Sequence, residues 1–224
     1  MKEPTAYVRL KFLLYFFYGL IFRPTIIGKE KIPQEGPIII AGNHTHFFDC
    51  LTVANSTKRC VHFLAKSELM KPPLKWIFAP FGIIPVDRNG RDRSALHNAI
   101  NVLKSGMVIG IFPEGGVNEM RGTVKPFKFG AVKMAEKTGA QIVPFVVSGK
   151  YKILRKSKKG IKIEFFDPIT VGDDLESTNK QLWEIVNNGV QESVKERPFL
   201  YKNKVNKLHI LYTKLTSKKK KSKD

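Results

Sequence analysis

The stretch IIIAGNHTHFFD, residues 38–49, runs from apolar residues directly into His44 and Asp49. A second stretch, MVIGIFPEGG at residues 107–116, has the same design, with an apolar run followed by Glu114 and two glycines. Short apolar runs of this kind predict buried strands. Active sites of open α/β sheets lie just beyond the carboxyl ends of their strands. We therefore interpret the chain as an enzyme whose site lies where these two strands end.

Segments with the patterns of strands and helices alternate along most of the chain. This alternation predicts an α/β fold, with a mostly parallel sheet flanked by helices. Pro144 lies inside one predicted strand and, because proline donates no backbone hydrogen bond, it predicts a sheet edge or a strand end there. The predicted strands cover 26–28, 38–41, 61–65, 83–86, 107–112, 141–147 and 161–166, and the predicted helices cover 67–78, 91–104, 130–137 and 180–195, with another that is opened by the 43–49 motif and reaches residue 55.

Length and charge limit the organisation of the chain and its partners. With 224 residues, 42% of them hydrophobic, the chain can form one sizeable core but not a second full domain. The net charge of +20 favours an acidic partner, such as nucleic acid, an anionic membrane or phosphorylated small molecules. We divide the chain into an amino-terminal helix at 1–25, a catalytic domain at 26–200 and a basic tail at 201–224.

The cysteine content points to a reducing compartment. Cys50 and Cys60 are the two cysteines of the chain, too few for a disulfide scaffold. Cys50 directly follows Asp49, but nothing around it marks it as a nucleophile. We interpret it as a small buried thiol.

The amino-terminal region contains an uncharged, strongly apolar segment, Phe12–Phe22, that ends at Arg23-Pro24. As a helix it would rise about 16 Å, roughly half of a hydrocarbon core, so a single membrane span is a poor interpretation. We favour a helix lying in one leaflet with basic flanks on anionic headgroups; the alternative is a core helix packed on the sheet. The lysine-rich end at 218–223 is either a solubilising tail or a lipid-binding one.

The spacing of His44 and Asp49 restricts how the two can interact. Five positions on a regular helix turn the chain by about 500°, so the two side chains would not face each other. They can meet only if His44 lies in the turn before a helix and Asp49 in its first turns. Asp49 would then accept from one ring nitrogen and leave the other as a general base. Two alternatives stay open: His46 can share a helix face with Asp49, and the three side chains can ligate a metal.

Other residues of the two regions suit an anionic ligand. Gly115 and Gly116 allow a backbone to approach an anion closely. Arg88 follows a predicted strand that lies between the two stretches, where its guanidinium can hold a phosphate through two hydrogen bonds. The plainer interpretations are a tight turn with a solvated Glu114 and a surface arginine.

Four ordered blocks of sequence resemble those of the glycerolipid acyltransferases. They are Asn43-His44 with Asp49, the segment from Gly82 to Arg88, Phe112-Pro113-Glu114-Gly115, and Ile142-Val143-Pro144. The blocks lie between residues 38 and 149, and the order of predicted strands and helices agrees between them. Among these enzymes, the chain most resembles the bacterial-type 1-acyl-sn-glycerol-3-phosphate acyltransferases.

The resemblance implies an O-acyltransferase that makes phosphatidate. His44, oriented by Asp49, would take the proton from the free hydroxyl of 1-acyl-sn-glycerol 3-phosphate. This hydroxyl would attack the thioester of acyl-CoA or acyl-carrier protein, with no covalent acyl-enzyme, no metal and no further cofactor. Arg88 and the Glu114 turn would bind the glycerol phosphate, and the Pro144 segment would line the path of the acyl donor or acyl chain. The implied substrate-binding residues are Asn43, Arg88, Glu114, Gly115, Gly116 and Pro144.

The resemblance also implies a place in the cell and a set of partners. We expect a peripheral or monotopic protein on the cytoplasmic face of the cell membrane. Its partners would be an anionic membrane surface, an acyl donor and a lysophospholipid acceptor, without nucleic acid.

Two positions depart from the family pattern. His46 stands where the family usually has serine, and Val117 stands where it usually has an arginine for the phosphate. Arg121 or Lys125 from the same loop can supply that charge. The departure at Val117 keeps open an acyltransferase for a different lysolipid. A basic protein that binds nucleic acid or anionic surfaces without catalysis is the other alternative; it explains the charge but not the histidine–carboxylate motif.

Overall fold

The computed structural model describes residues 5–73, 75–76, 79–87, 93–151 and 160–201. Within them, seven strands form one sheet with five α-helices against it. The strands are β1 (Thr25–Ile27), β2 (Ile38–Gly42), β3 (Val61–Lys66), β4 (Ile84–Val86), β5 (Val108–Ile111), β6 (Gln141–Ser148) and β7 (Lys162–Phe165). The helices are α1 (Thr5–Phe22), α2 (Asp49–Asn55), α3 (Arg93–Lys104), α4 (Gly130–Thr138) and α5 (Leu175–Glu196), with 3₁₀ turns at Lys29–Lys31, Ser67–Met70, Ala79–Phe81 and Pro198–Leu200.

The sheet has the order β1-β7-β6-β2-β5-β3-β4. Among the described strands, β6 and β7 pair antiparallel and every other neighbouring pair is parallel. This arrangement confirms the predicted mostly parallel sheet flanked by helices. The two strands that precede the candidate chemistry, β2 and β5, are direct neighbours, with Ile38 opposite Val108 and Ala41 opposite Ile111.

The helix predicted over 67–78 is wrong in its first half. Ser67–Met70 forms a 3₁₀ turn and a bend follows it, while residues 74, 77 and 78 lie outside the described part of the chain. Pro72 and Pro73 explain the difference, because proline lacks the backbone N–H of a helix and disfavours helical geometry in the residue before it.

Pro144 lies in the interior of the sheet, so the prediction of an edge or a strand end is wrong. β6 lies between β2 and β7. The carbonyl of Pro144 accepts from the N–H of Phe166 at 2.9 Å on the β7 side, and the nitrogen of a strand residue faces the same side as its carbonyl. Regular pairing stops at Phe165 there, and an isolated bridge between Ile142 and Ile169 follows. The interrupted ladder accommodates a residue without a donor.

Both faces of the sheet are covered, as alternation along β2 shows. Ile39 and Ala41 point into a core formed with α3, α4 and α5. Ile38 and Ile40 point to the other face, where Val53 of α2 completes a second core. Successive side chains of a strand alternate between faces, so a fully apolar strand such as β2 is buried on both. This burial fixes the position of the carboxyl end of β2.

The amino-terminal helix α1 begins at Thr5 and ends at Phe22, directly before Arg23-Pro24 and within the predicted range of 1–25. Arg23 has a φ of 43°, and its N–H donates to the carbonyl of Gly19 at 3.0 Å. A left-handed residue bonded in this way is a common helix end. In the described part of the chain, no helix is long and apolar enough to cross a membrane.

One side of α1 packs on the protein and the other is exposed. The Tyr7 hydroxyl donates to the carbonyl of Val61 at 2.9 Å and accepts from its N–H at 3.1 Å. Tyr18, about three helical turns further on, is also buried. Helix α1 is therefore partly a core helix, while its position at a membrane interface stays a prediction. Large apolar side chains exposed on the other side include Phe16 at 59% exposure, Phe17 at 50% and Leu20 at 46%.

Candidate active site

The loops that follow β2 and β5 meet at the carboxyl edge of the sheet, as the sequence predicts. The N–H of Asn118 donates to the carbonyl of His44 at 2.7 Å. The N–H of His44 donates to a carboxylate oxygen of Glu114 at 2.9 Å. The imidazole of His44 stacks on the ring of Phe112, with centroids 3.9 Å apart. Sheet pairing thus brings together residues that are about 70 positions apart in the chain.

His44 and Asp49 meet in the geometry that their spacing requires. Asp49 is the first residue of α2, and His44 lies in the turn before it. Nδ1 of His44 is 3.1 Å from Oδ2 of Asp49. An ionised carboxylate can only accept, so Nδ1 carries the proton and Nε2 keeps its lone pair. Among the described residues Nε2 has no hydrogen-bond partner, so it is available as a base.

Asp49 is fully buried and held by several donors. Its Oδ2 accepts from the N–H groups of Thr45 at 2.6 Å and His46 at 2.7 Å, in addition to His44. Its Oδ1 accepts from the hydroxyl of Tyr151 at 2.7 Å. A buried carboxylate needs such donors to remain ionised, and they also fix its direction. The loop therefore holds Asp49 in one orientation toward His44.

The ring of His46 does not pair with Asp49. Its Nδ1 accepts from the N–H of Phe48 at 3.2 Å, and the ring lies against Tyr151, with centroids 4.6 Å apart. Of the two alternatives for Asp49, the structure selects His44. Within the described residues, no group of three or more His, Cys, Asp and Glu side chains is placed to hold a metal ion.

Glu114 braces the two loops instead of pointing into open solvent. It is buried, with 8% exposure. One oxygen accepts from the N–H of His44, and the other accepts from the amide of Asn118 and the N–H of Lys125, each at 2.9 Å. Both oxygens of Glu114 are thus engaged within the protein. The geometry makes Glu114 a positioning residue for the loop that carries His44.

Asn43 ties the same loop to β6. Its side-chain amide donates to the carbonyl of Val147 at 2.9 Å, and its oxygen accepts from the N–H of Val147 at 2.8 Å. Both polar groups of this buried side chain are used by one strand residue. Pro144, three positions before Val147, is buried within β6 opposite Ala41.

The turn after β5 requires glycine at Gly115. This residue has a φ of 79°, in the left-handed region, and its N–H donates to the carbonyl of Phe112 at 3.0 Å. A Cβ at Gly115 would lie 2.8 Å from both Cε and Nζ of Lys128, so the lysine side chain crosses this turn. Gly116 follows in the same turn. Lys128 is a cation at the site that sequence reasoning missed.

The cations proposed to replace an arginine at Val117 lie near the turn. Nζ of Lys125 donates to the carbonyl of Val117 at 3.3 Å. Arg121 lines a pocket beside the site together with Thr45, Ser148 and Tyr201. Burial raises the pKa of Tyr201, and the nearby guanidinium groups, Arg121 among them, oppose this rise. Arg88, the other predicted phosphate contact, lies outside the described residues.

Cys50 is half-buried, not fully buried as the sequence predicts, and it lacks the features of a nucleophile. Its Sγ donates to the carbonyl of Phe47 at 3.3 Å. Burial, followed by the charge of Asp49, raises the pKa of the Cys50 thiol to about 12. The thiolate is the nucleophilic form. The interpretation of Cys50 as a structural residue therefore agrees with its surroundings.

Two further contacts of the site escaped sequence reasoning. Tyr151 reaches Asp49 from 102 positions away, and Asn118 links Glu114 to the carbonyl of Thr123. Tyr151 follows a lysine in a basic stretch and carries no local pattern. Asn118 directly follows Val117, one of the two positions that depart from the family pattern, and this neighbourhood was a usable signal.

Comparison with known proteins agrees with this geometry. The profile of the family described as Acyltransferase matches residues 23–148, which contain all the strands of the sheet except β7, as well as both loops of the site. The chain belongs to the acyltransferase family. This membership agrees with the four sequence blocks.

Individual members of the acyltransferase family resemble the chain to different extents. A 1-acyl-sn-glycerol-3-phosphate acyltransferase of Borreliella burgdorferi is 38% identical over 122 residues, which are 53% of this chain and 48% of that protein. One of Bacillus subtilis is 28% identical over 176 residues, 76% of this chain and 86% of that protein. The chain thus spans about half the length of the first relative and most of the second.

A solved structure shares the fold. The 1-acyl-sn-glycerophosphate (LPA) acyltransferase PlsC of Thermotoga maritima matches with a TM-score of 0.65 and 25% sequence identity. The match covers 84% of this chain and 78% of that one. The sheet and its flanking helices therefore agree with an acyltransferase fold over most of the chain.

Proposed function

We propose that the protein transfers a fatty acyl group from a thioester to the free hydroxyl of 1-acyl-sn-glycerol 3-phosphate, giving phosphatidate. One observation carries the proposal: the Nδ1 of His44 is bound to the buried Asp49, and its Nε2 is left as a base at the edge of the sheet. The names of the relatives from Borreliella burgdorferi and Bacillus subtilis support the substrate class.

In the proposed reaction, His44 is the general base. Its Nε2 takes the proton of the acceptor hydroxyl while the hydroxyl oxygen bonds to the thioester carbonyl carbon. The carbon–sulfur bond then breaks, and the sulfur of CoA or of the carrier protein leaves as a thiol with the proton that His44 held. Asp49 keeps the proton on Nδ1 and stabilises the imidazolium that forms in between. Bonds, electrons and the proton balance in this reaction with no covalent acyl-enzyme and no metal in any step.

The acceptor phosphate needs cations near the turn at Gly115. Lys128 crosses this turn, Lys125 bonds the carbonyl of Val117, and Arg121 lines the adjacent pocket. These three take over the charge that an arginine at Val117 would supply. Charge-assisted bonds to phosphate are among the stronger hydrogen bonds of proteins. Arg88 stays a proposed fourth contact.

The exposed side of α1 suits a lipid surface. Phe16, Phe17 and Leu20 are apolar and exposed on it. The exposed Phe47, next to the His46 turn, places another large apolar side chain close to the site. The net charge of +20 favours an anionic surface. We propose peripheral or monotopic attachment to the cytoplasmic face of the cell membrane, where the lipid acceptor resides.

A panel of acceptors and donors tests the function. The purified full chain is offered 1-acyl-sn-glycerol 3-phosphate and neutral or zwitterionic lysolipids, with acyl-CoA or acyl-carrier protein, and products are identified by mass. Phosphatidate should be the main product and should be absent with His44→Ala. Transfer to another lysolipid in preference would keep the reaction but replace the acceptor. Absence of transfer with every pair would refute the proposal and favour a basic binding protein.

A further inference from the structure

The oxygen of Asp49 that does not bond His44 has its own partner, the half-buried Tyr151. The hydroxyl of Tyr151 donates to Oδ1 at 2.7 Å. Burial, followed by the charge of Asp49, raises the pKa of Tyr151 far above its ordinary value, so this hydroxyl stays protonated and remains a donor. The catalytic carboxylate is thus held from both sides, by His44 and loop N–H groups on one and by a tyrosine on the other.

This hydroxyl is the end of a chain that begins on α1. Oγ1 of Thr52 is 2.8 Å from the hydroxyl of Tyr151, and the hydroxyl of Tyr18 is 2.5 Å from Oγ1 of Thr52. Thr52 is completely buried, and Tyr18 is 4% exposed. Three hydroxyls therefore connect the amino-terminal helix to Asp49 without a gap.

The directions of these hydrogen bonds follow from the last acceptor. Asp49 can only accept, so Tyr151 donates to it, and the oxygen of Tyr151 can then accept from Thr52. The single hydroxyl proton of Thr52 has two acceptors within reach, Tyr151 at 2.8 Å and the carbonyl of Phe48 at 3.2 Å, and the shorter contact assigns it to Tyr151. Thr52 can in turn accept from Tyr18, whose pKa burial raises to about 12, so it also keeps its proton. Aligned chains of this kind strengthen each bond through polarisation.

Aromatic contacts also join the end of α1 to Phe48, which precedes α2, and to Tyr151. Phe22, the last residue of α1, lies 5.5 Å from both Phe48 and Tyr151, measured between ring centroids. Phe22 also contacts the ring of Tyr18 at 5.0 Å. The end of α1 is thus packed against the residue that orients the catalytic carboxylate.

We propose that Tyr151 is a positioning residue for acyl transfer, and that Thr52 and Tyr18 connect it to α1. Through these hydroxyls, the position of α1 affects the orientation of Asp49 and His44. The proposal rests on the proposed function. It gives α1 a second task besides attachment, because the side opposite the hydroxyl chain is the one that would contact lipid. Displacement of the helix would break the chain of hydroxyls and loosen Asp49.

Steady-state kinetics of variants that each lack one hydroxyl test the hydrogen-bonded row of Tyr18, Thr52 and Tyr151. Tyr151→Phe should lower kcat about tenfold, the effect of one lost hydrogen bond to a charged group, while the KM for donor and acceptor changes less than about twofold. Tyr18→Phe should lower kcat about threefold. The double variant should be no slower than Tyr151→Phe alone, because a chain already broken cannot be broken again.

Matched controls separate this effect from a general loss of packing. Thr52→Ser keeps the hydroxyl and should retain kcat, whereas Thr52→Val keeps the shape and should lose it. Tyr15→Phe removes a hydroxyl from the same helix whose contact is with Tyr7 at 3.3 Å and not with the chain. Equal losses for Tyr15→Phe and Tyr18→Phe, or for the two Thr52 variants, would overturn the proposal.

A spectroscopic readout is independent of the substrate. The Nδ1 proton of His44 should give a downfield proton resonance in the full chain, assigned by its loss in His44→Ala. This resonance should shift in Tyr151→Phe and stay in place in Tyr15→Phe. A shift without phosphatidate synthesis by the wild type would refute the proposed function and leave the positioning role standing. An unmoved resonance together with an unchanged kcat would overturn the positioning role itself.

Discussion

The loop after β2 and the turn after β5 have the same sequence design, but their polar residues do different work. In the first, Asp49 is saturated with donors and His44 keeps one nitrogen without a partner in the described structure. In the second, Glu114 gives both oxygens to neighbouring donors of the protein. Both carboxylates are fully engaged, so the kind of partner decides the role: Asp49 accepts from an imidazole and orients a base, whereas Glu114 accepts from backbone and amide N–H groups and holds a loop.

The largest effect should come from the removal of the His44 imidazole, whose Nε2 is the proposed base. His44→Ala should lower kcat about 10²–10⁴-fold, because the acceptor hydroxyl loses its base. Circular dichroism and the denaturation midpoint should stay close to wild type, since the ring of His44 is held by one stacking contact and one hydrogen bond. Initial rates of phosphatidate formation measure the effect.

Asp49→Asn is the companion variant for the same loop. It keeps the shape but offers one oxygen where two accept, so it should also slow transfer strongly. A His44→Ala rate within about threefold of wild type would reject the base, whatever Asp49→Asn does.

Removal of the brace should affect stability as well as rate. Glu114→Ala leaves three N–H donors without their acceptor. Loss of the acceptor of a buried donor, here the amide of Asn118, costs about 1–3 kcal/mol of the free energy of unfolding, and the two part-buried donors cost less. The loop that carries His44 is then less well placed, and a misplacement of about 1 Å can cost roughly 10²-fold in kcat. Urea denaturation and initial rates measure the two effects.

Glu114→Gln is the matched control for the brace. It keeps one accepting oxygen for Asn118 and Lys125 but turns an amide toward the N–H of His44, so stability and rate should both lie between wild type and Glu114→Ala. If Glu114→Ala slows transfer but leaves the free energy of unfolding unchanged, Glu114 contacts substrate and does not act as a brace.

The sequence predicted the frame of the site better than its contacts. The apolar runs placed β2 and β5, and helix geometry alone required His44 to precede the helix that Asp49 begins. The partners of Glu114 and Asn43 were not predictable, since Lys125 and Val147 reach them through tertiary packing. The prediction of a sheet edge at Pro144 was wrong because regular pairing with β7 is interrupted there, so no N–H is needed. The local sequence pattern does not show this interruption.

The cations around the turn provide a smaller effect that tests the substrate. Arg121→Ala, Lys125→Ala and Lys128→Ala should each raise the KM for the phosphorylated acceptor about 10-fold, and leave the KM for the thioester within about twofold. A bond to a charged group contributes about 1.5–3 kcal/mol, reduced here because these side chains are exposed. Kinetics with the acceptor and the donor varied in turn measure the difference.

The three cation variants also rank the candidates against each other. The largest rise in acceptor KM identifies the group that replaces the arginine expected at Val117. Val117→Arg should lower the acceptor KM if the phosphate lies at this turn. Equal changes for donor and acceptor in all three variants would place the phosphate elsewhere, with Arg88 the next residue to test.

The smallest expected effect on catalysis concerns the two sides of α1. As with the two loops, one side has its partners within the protein, and the other is exposed and available for a partner outside it. The combined change of Phe16, Phe17 and Leu20 to serine should release the protein from neutral vesicles, because each large apolar side chain contributes about 1.5–3 kcal/mol when buried. Transfer to a bilayer-embedded acceptor should fall several-fold, and transfer to a short-chain soluble acceptor should be unchanged. Ile27→Ser, an exposed apolar residue on edge strand β1, is the control and should alter neither. If the triple variant still sediments with neutral vesicles, the open side of α1 does not account for binding to lipid. Positive charge cannot explain binding to a neutral surface, so another apolar surface, such as the one at the exposed Phe47, would have to contact lipid.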